Sequence, residues 1–210
     1  MKLTKNTHSC VRVERDGRSL VVDPGVFGGF DEVAGAEAIL ITHEHTDHFD
    51  EGAVRRALEA GPGVRVWTVG AVADRLWAAF PGRVRTVGHG DAVTAAGVEV
   101  GVQGRYHAPI HPDMPVGGNV GFVVDGALFH PGDALTVPEG KVRTLLLPLS
   151  APWSKAQEVV DHVREVGPER TVDIHDGLLT PTGAALYSRV VGALAPAENI
   201  RLEVGESTGV

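Results

Sequence analysis

The residues best able to do chemistry crowd into one hexapeptide, His43-Glu44-His45-Thr46-Asp47-His48. His43 and His45 are two apart, so on extended backbone they project to the same side. Asp47 and His48 follow as the chain turns toward the next helix, so they face a second point nearby. The cluster can therefore serve two adjacent cations. Imidazole and carboxylate together suit zinc, iron or manganese. Three more ligand-type side chains stand just past apolar or alternating stretches. They are His107 in Arg105-Tyr106-His107, Asp133 in His130-Pro131-Gly132-Asp133, and His175 closing the run from Thr171. Strand ends that open into loops are where functional groups collect.

Composition agrees with chemistry at imidazoles. The chain has 210 residues with ten His but one Cys, two Tyr and three Trp. Its length and its 43% hydrophobic content predict a single domain over residues 1–210 with a substantial core. A lone Cys10 forms no internal disulfide, which predicts a reduced thiol and a cytoplasmic protein. The net charge of −8 argues against a non-specific nucleic-acid binder. No apolar run approaches the ~18 residues of a membrane span. The opening MKLTKNTHSC has lysines but no apolar stretch behind them, unlike a signal peptide.

The elements that must position these residues can be read from turn signals and periodicity. Val11–Glu14 and Ser19–Val22 flank Asp16-Gly17 and predict a hairpin. Ala38–Thr42 reads as a short buried strand that runs directly into the hexapeptide. Residues 49–60 read as a helix stopped by Gly61-Pro62. Val64–Val69 predicts a strand, and residues 72–80 a short helix. Val98, Val100 and Val102 alternate as a strand does. Val120–Val124 and Ala127–His130 flank a second Asp-Gly pair. Thr144–Leu147 is continuously apolar, as in a strand covered on both faces. Ser154 and Gln157 make a capping-box pattern ahead of a helix to Val166, with Val159, Val160, Val163 and Val166 on one face. A strand to His175 and a helix begun by Thr180-Pro181 follow. The pattern predicts two β-rich layers covered by helices.

The ordered motif set resembles the metallo-β-lactamase superfamily, whose fold is an αββα sandwich of the α/β class. The matching residues are Asp23 in Val21-Val22-Asp23-Pro24-Gly25, the hexapeptide, His107, Asp133 and His175. The resemblance as a whole spans residue 8 to about residue 187, nearly the whole chain. The resemblance implies that His43, His45 and His107 hold a first metal, and Asp47, His48 and His175 a second. Asp133 would bridge the two, and Asp23 would orient a ligand from outside. The implied cofactor is Zn2+, two ions, with manganese or iron as alternatives. The implied activity is hydrolysis of a small-molecule lactone, ester, amide or phosphoester by a metal-bound hydroxide, with Asp133 and Asp47 in catalytic positions.

His111, four residues beyond His107, is the rival for the third motif; His107 is preferred because it follows its strand directly. His111 then becomes a residue of the pocket. His8, in Thr7-His8-Ser9-Cys10, resembles the start of the sugar-phosphate-lactonase-like branch and is a candidate for the surroundings of the site. Trp153 is a candidate pocket wall, and His130 a brace for the Asp133 turn. His89 and His162 sit among polar residues and are expected at the surface. Two rival readings keep the same pocket: an iron-dependent sulfur dioxygenase, and a nucleic-acid phosphodiesterase. The second would need a basic rim on this acidic chain.

Overall fold

The computed structural model describes residues 1–210. The first half of the chain contributes β1 (Lys2–Lys5), β2 (Val11–Arg15), β3 (Arg18–Val22), β4 (Ala38–Ile41), α1 (Glu51–Ala60), β5 (Arg65–Thr68), α2 (Gly70–Leu76) and β6 (Val84–Thr86). The second half contributes β7 (Ala92–Ala95), β8 (Val98–Gln103), β9 (Gly121–Val124), β10 (Leu128–His130), β11 (Thr144–Pro148), α3 (Ala156–Val166), β12 (Arg170–Ile174), α4 (Pro181–Leu194) and β13 (Glu198–Ile200). A last strand, β14 (Ser207–Gly209), returns to the first half's sheet.

Two seven-stranded sheets result, ordered β14-β1-β2-β3-β4-β5-β6 and β13-β12-β11-β10-β9-β8-β7. In the first, β3 through β6 are parallel. In the second, β10 through β13 are parallel, and β8 runs the same way as β10 because both lie antiparallel to β9. Within each sheet these strands therefore end at a common edge. Crevices at the carboxyl ends of such strands are where α/β proteins bind ligands.

Both Asp-Gly hairpins form as expected. Asp16 and Gly17 (φ 51° and 76°), like Asp125 and Gly126 (53° and 64°), take the paired left-handed conformation of a tight two-residue turn. Layering follows from the strand period. On β11, Leu146 joins the core shared by the two sheets, while Leu145 and Leu147 join Val159, Val163 and Val191 under α3 and α4. On the other side, Val54, Leu58, Val72 and Leu76 of α1 and α2 belong to the larger core with Ile39 and Val66. The order of layers is αββα.

Several sequence expectations shift. Helix α3 begins at Ala156 with Lys155 as its N-cap, not at Ser154. Glu158 accepts the Lys155 N–H at 2.9 Å, so the glutamate half of a capping box forms, one residue later than the Ser154/Gln157 pattern. Ser154 is engaged instead in a turn, where its Oγ accepts the Ala151 N–H. Helix α2 is Gly70–Leu76 rather than 72–80. His162 is a correction: it is buried, not at the surface. It flanks the apolar stripe of α3, neither ring nitrogen has a hydrogen-bond partner, and burial pushes it down to about 4. No helix is long and apolar enough to cross a membrane.

Candidate metal centre

Each candidate ligand sits on the loop that leaves a strand, on both sides of the gap between the sheets. Beyond β4 the hexapeptide turns tightly, with the His48 and Phe49 N–H groups both donating to the His45 carbonyl. Gly25 lies so close to this turn that a Cβ there would come within 1.9 Å of the Asp47 carbonyl oxygen. On the facing side, Asp133 is fixed by Asn119, whose side chain accepts the Asp133 N–H at 3.0 Å and donates to the Pro131 carbonyl at 2.9 Å. Gly132 (φ 63°) leaves room for this, since a Cβ would meet the Asn119 amide and Thr42. His130 braces the same turn, accepting the Gly132 N–H and donating to the Ser9 carbonyl.

The ligand-type atoms fall into two groups, each within a 4.8 Å span: His43, His45, His107 and Asp133, and His8, Asp47, His48 and His175. Asp133 faces both. Its Oδ1 is 3.0 Å from His48 Nε2 and 3.2 Å from His175 Nε2. Its Oδ2 is 3.3 Å from His107 Nε2 and 4.0 Å from His43 Nε2.

The inner ring nitrogens define the protonation pattern. His48 Nδ1 lies 2.7 Å from Asp23 Oδ2, His107 Nδ1 2.5 Å from the Ala108 carbonyl, and His175 Nδ1 2.7 Å from the Ser150 carbonyl. All three partners only accept, so each Nδ1 carries the proton. Thr42 Oγ1 donates to Asp23 at 2.7 Å and so is free to accept from His43 Nδ1 at 3.0 Å. In the neutral rings, four Nε2 lone pairs therefore point inward. His43, His48, His107 and His175 Nε2 and Asp133 Oδ1 are all buried without a hydrogen-bond partner. Lone pairs held 3.0–3.3 Å from a carboxylate repel unless a cation lies among them. This donor set fits divalent metal ions.

His8 has the reverse pattern. Its Nδ1 accepts the Gly177 N–H at 3.0 Å, so the proton is on Nε2, 3.2 Å from Asp47 Oδ2. It is a partner of Asp47 rather than an inward lone pair. Asp23 is fully buried, and besides His48 it accepts the Thr42 N–H at 2.7 Å. Trp153 donates its Nε1–H to Asp133 Oδ2 at 2.9 Å and walls the site. His45 lies at the exposed mouth, its ring 4.7 Å from that of His43 and 4.8 Å from that of His107. His111 is not brought in. Its ring is 62% exposed and Nδ1 accepts the Asp113 N–H within its own loop. Thr42 was missed by sequence reasoning; its signal is a polar residue ending an otherwise apolar buried strand.

Electrostatics matches the packing. Burial alone would raise Asp23 and Asp133, but the surrounding histidines hold both below the ordinary carboxylate range. Burial pushes His43 well down, which keeps it neutral. Burial also works against a charged His48, but Asp133 and Asp23 outweigh it and pull His48 up. Three of these residues have left-handed backbone: His8 (φ 52°), Asp23 (51°) and His175 (56°).

The chain is similar to known proteins. A family model described as "Beta-lactamase superfamily domain" matches residues 2–175. Protein Rv0786c of Mycobacterium tuberculosis is 38% identical over 193 residues, 89% of each chain. A UPF0173 metal-dependent hydrolase of Methanopyrus kandleri is 26% identical over 99% of each. Among solved structures, the metallo hydrolase Igni18 of Ignicoccus hospitalis superposes with a TM-score of 0.75 at 19% identity, covering 99% of this chain and 97% of that one. The match over residues 2–175 takes in every strand end that carries the clustered histidines and aspartates, and the chain belongs to the metallo-β-lactamase superfamily.

Proposed function

We propose that the chain hydrolyses a small-molecule lactone, ester, amide or phosphoester with two divalent ions, zinc first, manganese or iron as alternatives. The observation that carries this reading is the set of buried Nε2 lone pairs converging on Asp133. His43, His45 and His107 would hold one ion, and Asp47, His48 and His175 the other, with Asp133 between them. Such ions supply a Lewis acid and a water acidified toward neutral pH.

The remaining roles belong to this chain. Asp23 keeps the His48 proton on Nδ1, and His8 orients the Asp47 carboxylate. Asp133, with one oxygen turned to each group, positions the attacking water and takes its proton at a carboxylate oxygen. It passes that proton to the leaving group. Trp153 holds Asp133 Oδ2 and keeps bulk water from that side.

The test is a panel of lactones, thioesters and phosphodiesters. It is run on chelator-stripped protein reloaded separately with zinc, manganese and iron. Turnover should vanish on stripping, return with metal, and be lost in Asp133→Ala. Full activity in stripped protein or in Asp133→Ala overturns the reading. Oxygen uptake with a persulfide by the iron form would replace it with the dioxygenase one.

A further inference from the structure

One wall of the metal cluster is also the wall of a cleft of about 450 Å³. Trp153 forms that shared wall, since its indole donates to Asp133 and lies 6.1 Å from the His107 ring. Ala108 directly follows His107 and Ala134 directly follows Asp133, and both line the cleft. Tyr106, Pro109 and Leu135 line it as well. A molecule lying here has one end against the ligand-bearing loops.

The chemistry of this lining is one-sided. Its polar members besides Tyr106 and Trp153 are Thr136 and Glu158, and no lysine, arginine or histidine lines it. A phosphate or carboxylate placed here would meet a carboxylate and find no cation to offset its desolvation. Arg105, next in sequence to Tyr106, lines a separate cleft with His89. Other ligand-bearing loops also expose apolar side chains. Phe27 on the loop after Asp23, Met114 beyond His107 and Leu178 beyond His175 are 42%, 50% and 66% exposed. The volume is that of a small-molecule site.

We infer that the substrate is a neutral carboxylic ester with an apolar acyl chain, and that the chain lies in the cleft between Tyr106 and Trp153 with its carbonyl at Asp133. Water then adds to the carbonyl and the acyl C–O bond breaks, giving a carboxylate and an alcohol with no change of oxidation state. This inference rests on the hydrolase reading and narrows it away from phosphorylated substrates.

The test separates the two. Straight-chain hydroxamates from acetyl to octanoyl are titrated calorimetrically into zinc-loaded protein, alongside inorganic phosphate. Affinity should rise about fourfold per buried methylene until the cleft is full. Ala134→Trp, which fills the cleft, should flatten the series. Tyr106→Asp, at a side chain that is 68% exposed, should cut the octanoyl-to-acetyl affinity ratio by about tenfold. A flat series in the unaltered protein, an unchanged ratio in Tyr106→Asp, or phosphate binding tighter than the octanoyl compound overturns the inference. In parallel, 4-nitrophenyl acetate through octanoate report turnover. A rising hydroxamate series without ester turnover retains the cleft assignment and defeats the hydrolase reading. Turnover with a flat series does the opposite.

Discussion

Asp23→Asn tests the protonation pattern directly. The Asp23 carboxylate takes donors from three sides, the Thr42 N–H, the Thr42 hydroxyl and His48 Nδ1, all at 2.7 Å. An asparagine of the same shape can keep its oxygen on the Thr42 N–H, but its NH2 then replaces the oxygen facing His48. That NH2 donates, so His48 Nδ1 must become an acceptor and the ring proton moves to Nε2. The inward lone pair, 3.0 Å from Asp133 Oδ1, is lost. Turning the amide over sets its NH2 against the Thr42 N–H, two donors facing each other in a buried site. Removing the outer partner of a ligating imidazole typically lowers metal affinity 10- to 100-fold, about 1.4–2.7 kcal/mol. Competition with a chromophoric chelator measures that loss. Nitrogen-15 shifts of His48 in metal-free protein, read at a pH high enough for the ring to be neutral, report the tautomer independently of metal and turnover. Thr42→Val, which keeps the carboxylate, should leave the His48 tautomer unchanged. Asp23→Asn with affinity within twofold of the unaltered protein, and with His48 Nδ1 still protonated, refutes the reasoning.

Two other outcomes follow from the geometry. His107→Ala should lose metal, measured by elemental analysis after gel filtration, whereas His111→Ala should retain it; the reverse would mean that the exposed loop refolds onto the site. Asp173 is fully buried, neither carboxylate oxygen has a hydrogen-bond partner of normal geometry, and burial pushes it up to about 6. The folded chain thus keeps a proton that the unfolded chain sheds above 3.8, so stability falls as pH rises from about 3.8 to about 6 and is then level. This penalty is about 1 kcal/mol at pH 4.5 and about 3 kcal/mol at pH 8. Asp173→Asn should therefore gain about 2 kcal/mol on the unaltered protein between those pH values in urea melts; a pH-independent difference would refute it.

The hexapeptide was legible because ligand types at fixed spacing on a strand-to-turn segment leave few alternatives. The two Asp-Gly hairpins were legible because that pair suits left-handed backbone. The hairpin joining β7 and β8 was not, since an alanine, Ala96 (φ 50°), takes the first left-handed position before Gly97. Strands β1, β6, β13 and β14 went unread because each is only three or four residues long and carries polar side chains. On β1, Lys5 is buried and paired at 2.6 Å with Asp176, a partner 171 residues away that no local pattern announces. The choice between His107 and His111 turns on the backbone. The His107 N–H is tied to Gly117 and its ring nitrogen to Ala108, which turns the imidazole inward, while His111 stays in an outer turn. The cap of α3 moved by one residue because Ser154 is committed to the turn from Ala151 that contains Trp153.

The left-handed backbone at His8, Asp23 and His175 restricts which amino acids those positions accept. Apart from glycine, that conformation favours aspartate, asparagine and histidine. A descendant of this chain released from catalysis would still be held to nearly the same alphabet there, for conformational reasons alone. His43, His45, Asp47, His48, His107 and Asp133 carry no such backbone demand. Among relatives, survival of the first set would report the shape of the chain, and survival of the second would report its chemistry.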